Sequence, residues 1–204
     1  MIRWKNQIRM GWMKRISKTM FVAAGLVAVA VIWRLMNWRY SVAPNLELVT
    51  ASALVAAAFL GRRAAVVVPL AIMAVSDILI GNSNILLFTW SAFALIGLSG
   101  LLLRRLAGSP LRLLAGSLGL AVAGSVFFYL YTNFGVWLLG DGTLYAKTWS
   151  GLVQCYVMGL PFYRTMLAGN LIIVPAYFTT AILVQRTLAH RMQRETLEME
   201  PVGR

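Results

Sequence analysis

Six blocks of apolar residues punctuate the chain, at roughly 19–36, 46–61, 64–82, 85–103, 111–132 and 167–185. Blocks of this length predict membrane helices rather than one oversized soluble core. The second block is short, near the lower limit of about 17 residues for a spanning helix. It is also alanine-rich ("TASALVAAAFL"). Arg62 and Arg63 directly follow it and predict a tight two-helix hairpin with the third block. Most connections are nearly minimal. The exception is 133–166, where "GDG" is a turn signal. Within it, "TWSGLVQCYVMGLPF" reads as an interfacial or re-entrant segment, too polar to span and apolar enough to touch lipid. Pro69 and Pro175 fall within blocks and predict kinks.

Charge orients this pattern. Fifteen of the nineteen basic residues fall on one side of a six-span layout: the N-terminal arm 1–18, Arg62/Arg63, Arg104/Arg105/Arg112 and the tail 190–204 with Arg186 just before it. Arg34, Arg39, Lys147 and Arg164 are left for the other side. The positive-inside rule then predicts an all-α, six-transmembrane-helix bundle over 19–189, with both termini cytoplasmic and a long outer loop between helices 5 and 6. Composition agrees, with 60% hydrophobic residues and a mean hydropathy of +0.75. The net charge of +13 is explained by topology rather than by nucleic acid. A signal peptide cut after "SVA" is the rival reading of the first block; Pro44 just beyond the cut and the charge alternation argue against it.

Acids are scarce. There are six, three of them in the last ten positions, yet "AIMAVSDILIG" places Asp77 at the end of the third block. A charge in lipid costs at least a few kcal/mol, so Asp77 needs a partner or a wet cavity. The layout brings Arg34, Asn45, Glu47, Asn82, Asn84, Trp90, Tyr131 and Asn133 to the same outer end, with Trp137, Lys147, Tyr156 and Arg164 from the long connection above. Two readings stand: an outward-opening binding pocket, or an Arg34–Asp77 or Arg34–Glu47 pair that only fixes helix orientation. Ala24/Ala28, Ala115/Gly119/Ala123 and Ala94/Gly97/Gly100 give small faces for helix packing or for a membrane partner.

No P-loop, HExxH or GxSxG is present. The single Cys155 excludes an internal disulfide, and the single His190 lies in the tail. The sequence therefore indicates neither catalytic residues, metal nor cofactor, and no nucleic-acid partner. A membrane enzyme using Cys155 or Asp77 is the weakest reading.

The strings "WRLMNW", "APNLELVTASALVAAAFLGRR", "VVVPLAIMAVSDIL", "SVFFYLYTNFGVWL" and "YAKTWSGLVQCYVMGLPFYRTMLAGNL" span most of 33–172. They resemble an uncharacterised bacterial membrane family related to the substrate-binding (S) components of energy-coupling-factor (ECF) vitamin transporters. That family commonly carries aspartate where this chain has Asn170. The resemblance implies a multi-pass protein of the bacterial inner membrane that binds a small water-soluble nutrient. Its partners would be a coupling subunit, met through Ala24 and Ala28, and separate ATPases. The alternative is a non-transport assembly protein whose polar cluster is structural.

Overall fold

A computed structural model describes residues 2–81 and 84–199, with side chains from Thr19 onward except Ala189, Met192 and 194–199. The described chain is helical, in the order α1 (Ile2–Tyr40), α2 (Val49–Leu60), α3 (Arg62–Ile80), α4 (Leu86–Leu106), α5 (Pro110–Leu139) and α6 (Trp149–Met199). Segments of five of these helices are long and apolar enough to cross a membrane. Their most apolar windows are only 11% buried in α1 and at most 39% buried in α3, so most of this apolar surface faces outward. Phe21, Ile78, Leu87 and Ile172 are among the large side chains exposed there. A soluble protein would not leave such a belt uncovered. This is a helical membrane protein.

The second block behaves differently from the others. Its helix covers 12 residues, about 18 Å at 1.5 Å per residue, against a hydrocarbon core of about 30 Å. Every residue from Val49 to Ala57 is buried. A helix apolar all round belongs inside a bundle, and α2 packs against α3, α4 and α6. Its last turn is a π-turn, Ala56–Leu60. Gly61 alone separates it from α3, at φ +104, a conformation open in practice only to glycine. The tight hairpin expected before Arg62 is therefore present.

The expected connection 133–166 is corrected. Helix α5 continues to Leu139 and α6 starts at Trp149, so only 140–148 link them. The aromatic and polar mixture there lowers hydropathy without breaking the helix, because its side chains bond and stack between α5 and α6. Tyr129 and Tyr163 rings lie 4.9 Å apart, and Tyr129 Oη donates to the Tyr156 carbonyl at 2.6 Å. The "GDG" turn is real. Thr143 N and Oγ1 both donate to Asp141 Oδ1, at 2.9 and 2.6 Å, and these bonds hold the Asp141 carboxyl below its ordinary range.

Small residues close the bundle, though not all where packing was expected. Pro69 cannot donate to the Ala65 carbonyl one turn back. That oxygen lies against Gly97 of α4, where a Cβ would come within 2.0 Å. A Cβ at Gly100 would meet Ala57 at 2.8 Å. By contrast, Ala24, Ala28, Ala115, Gly119 and Ala123 are exposed on the outer surfaces of α1 and α5. They pack nothing within the described chain.

Candidate functional site

The core cluster, including Leu54, Ile72, Leu103 and Phe178, fills the bundle towards the Arg62 end. At the Asp77 end the helices diverge around an open cavity of about 940 Å³. Its walls come from the end of α1 with the turn 41–47, the end of α3, the start of α4, and facing stretches of α5 and α6. Cavities of roughly 300–1,000 Å³ hold small molecules.

Of the side chains expected there, Arg34, Asn45, Glu47, Asp77 and Asn133 line the cavity. Asn84 and Trp137 line a separate hollow of about 340 Å³ beside the 140–148 connection. Trp90 stands behind the wall, bonded to Asp77. Tyr131 stacks on Phe127, with ring centroids 5.3 Å apart. Tyr156 Oη donates to the Leu130 carbonyl at 3.2 Å. Lys147 donates to the Trp137 and Leu138 carbonyls, a cation on the C-terminus of α5. Arg164 is exposed on α6 and lines neither space. Asn82 lies outside the described residues.

Asp77 is closed on all sides. Arg34 Nη2 donates to its Oδ1 at 2.8 Å, and Trp90 Nε1 to its Oδ2 at 2.7 Å. Arg34 Nε donates to Ser76 Oγ at 2.7 Å, and Ser76 Oγ donates in turn to the Ile72 carbonyl. The two side chains are 20% and 6% exposed. This network ties α1, α3 and α4 together at the level of the cavity floor.

Glu47 is different. The chain reaches it through a turn held against α1: Asn37 Nδ2 donates to the Ala43 and Leu46 carbonyls, and Trp33 Nε1 to Leu46 at 2.8 Å. Ser41 and Asn45 adopt positive φ, 49° and 59°, to make the reversal. Glu47 is 7% exposed, and its Oε2 accepts from the Thr50 amide at 2.8 Å, an N-terminal cap on α2. Oε1 has no partner. The other buried side-chain atoms without one, among the described residues, are Thr50 Oγ1, Ser52 Oγ and Asn170 Oδ1.

These atoms form a neighbourhood. Gly169 abuts Leu46, where a Cβ would fall 2.3 Å from Cδ1, and the Asn170 amide of α6 and the Thr50 hydroxyl lie beside the buried Glu47 carboxylate. Asn170 Nδ2 donates to Ser125 Oγ at 3.1 Å. The position noted for its missing aspartate is therefore a buried amide beside the Glu47 carboxylate.

Residues not singled out as pocket groups complete the wall: Asn37, Trp38, Thr89, Phe93, Phe128 and Met166 among them. "WRLMNW" held a usable signal. Trp33 and Asn37 are one helical turn apart, on the face that meets the reversing chain. Cys155 is buried with its Sγ 3.3 Å from the Asn133 carbonyl, an inert setting. No three His, Cys, Asp or Glu side chains converge among the described residues.

The chain belongs to a family of unknown function, DUF6580, whose profile matches residues 14–193. No curated protein and no solved structure matches it.

Proposed function

We propose that this protein captures a small water-soluble solute at the outer face of the bacterial inner membrane, as the binding subunit of an uptake system like the ECF S components. One observation carries the reading: the 940 Å³ cavity at the Asp77 end, lined by polar and aromatic side chains and closed below by the apolar core. Such a space is concave, mostly apolar and furnished with a few convergent polar groups, as binding sites are. The basic clusters at Arg62/Arg63 and Arg104/Arg105 mark the other end as cytoplasmic, with both termini there, so the cavity opens outward. The short helix α2 then serves as the second of six crossings, kept short because the 41–47 turn is folded into the bundle.

In this reading Arg34, Glu47, Asp77 and Trp90 shape the cavity, and Asn45 and Asn133 on its wall meet the solute. Ala24 and Ala28, exposed on the sparsely packed α1, are free to meet a coupling subunit, with ATP hydrolysed by separate chains. The exposed Ala115/Gly119/Ala123 stripe also suits a purely structural assembly protein. Ligand screening separates the two. Purified protein in a neutral detergent is expected to gain thermal stability with some members of a vitamin and metabolite panel, and native mass spectrometry to show a co-purified small molecule. Silence in both would leave assembly as the better account.

A further inference from the structure

The polar groups of the cavity wall point to a class of solute, an inference that rests on the capture reading above. Charge comes first. The charged residues in the wall are Arg34, Asp77 and Glu47. Arg34 and Asp77 form a 2.8 Å ion pair and cancel each other. Glu47 keeps its carboxylate within the protein. Its Oε2 accepts from the Thr50 amide, its Oε1 is buried, and the Thr50 hydroxyl and the Asn170 amide lie beside it. Arg39 and Lys147 stand outside the wall, and Lys147 is held on the Trp137 and Leu138 carbonyls. An ion entering this space would give up hydration and meet no unpaired counter-charge among the described residues. A neutral solute escapes that cost.

Hydrogen-bonding groups come second. Two carboxamides reach the cavity from different elements. Asn45 is exposed on the 41–47 turn, and its side chain bonds nothing among the described residues. Asn133 of α5 gives its amide N–H to the Tyr129 carbonyl at 2.8 Å, and its Oδ1 takes only a long 3.9 Å contact from the Cys155 thiol. Gly159 of α6 makes room for that oxygen, since an added Cβ would collide with it. One carboxamide therefore offers N–H and C=O together, and the other offers C=O. Ser41 and Tyr145 add hydroxyls to the wall, and Trp38 an indole N–H. Such a set recognises neutral groups that both donate and accept. Phe93, Phe128 and Phe162 supply apolar surface in the same wall, the first two with ring centroids 4.7 Å apart. Flat rings pack well against aromatic side chains.

We propose that the solute is an uncharged planar molecule carrying a carboxamide or lactam group. Its C=O and N–H bond to the Asn45 and Asn133 side chains, and its ring lies on the aromatic wall.

Benzamide, benzoate and benzamidinium share one shape and differ in charge, and together they test this. Saturation-transfer NMR titrations on the full chain, in neutral maltoside detergent at neutral pH, read the affinities. Benzamide is expected to bind best. Asn45→Gly removes the carboxamide and suits the positive φ of that position, 59°, so the turn is kept; about a fivefold loss of benzamide affinity is expected. An unchanged affinity in a variant with the native unfolding midpoint would overturn the Asn45 contact. Benzoate or benzamidinium binding as well as benzamide, or better, would overturn the uncharged class and leave solute capture standing. If none binds, a co-purified molecule identified by native mass spectrometry settles the class: one without an ionised group supports the proposal, and a carboxylate, phosphate or ammonium compound overturns it. No probe binding and no co-purified molecule would remove both the class and capture itself.

Discussion

Asp77 and Glu47 lie at the same end of one bundle, both under a tenth exposed, and their surroundings are opposite. Around Asp77 an arginine, an indole N–H and a serine form a network in which both carboxylate oxygens are bonded. Around Glu47 one oxygen caps a helix, and the buried neighbours are neutral groups, the Thr50 hydroxyl and the Asn170 amide. The lesson is that burial alone does not classify a membrane acid. A carboxylate bonded at both oxygens holds helices in place. A carboxylate surrounded by neutral groups fixes its own turn without tying helices together by charge.

Breaking the closed member should have the largest effect. Asp77→Ala leaves the Arg34 guanidinium without its counter-charge and Trp90 without its acceptor, at a cost of about 3–5 kcal/mol. The lower end is expected, because Arg34 is partly exposed. Denaturant unfolding of the detergent-solubilised protein reads this, and an unmoved midpoint would show that the network holds nothing. Trp90→Phe sharpens the contrast by removing one bond to the carboxylate while keeping the ion pair. The expected loss is about 1.5–3 kcal/mol, with solute binding retained.

Gly97→Ala touches neither carboxylate. It drives a methyl group into the Ala65 carbonyl that Pro69 leaves without a donor, and overpacking of this kind costs about 1–3 kcal/mol. Its role is to show what a stability defect alone does to binding: a lower midpoint, with unchanged affinity below it. Glu47→Gln should have the smallest effect on stability, under about 1 kcal/mol, since the amide oxygen keeps the bond from the Thr50 amide and no ion pair is broken. A drop as large as that of Asp77→Ala would put the two acids in the same structural class and erase the comparison.

Much of this was legible in the sequence, and the rest has identifiable causes. The apolar blocks give the helices, since length and hydropathy decide membrane insertion. Asp77 with Arg34 is legible because an isolated acid in an apolar run needs a partner. Asn133 and Asn45 reach the cavity because they end or begin blocks at the same level. The error at 133–166 has a physical source: in a long helical hairpin, Tyr129, Tyr156 and Tyr163 bond and stack across the helix pair, so a hydropathy dip does not mark a loop. Tyr131 and Tyr156 fail as cavity residues for the same reason, as one turn of helix sets which face they occupy. Glu47 is recognisable as an acid at the Asp77 end but not as the one held by neutral groups. That distinction depends on which groups of α6 face it, and Asn170 lies far along the chain.

The central claim is that the cavity at the Asp77 end opens outward, and thiol labelling in intact cells tests it most directly. In a Cys155→Ser background, Thr89→Cys places a thiol on the cavity wall. Membrane-impermeant methanethiosulfonates, one bearing a trimethylammonium and one a sulfonate, are applied from outside, each rate being normalised to that with free cysteine. The account predicts that position 89 labels from outside with both reagents. A thiol that never labels from outside would contradict it.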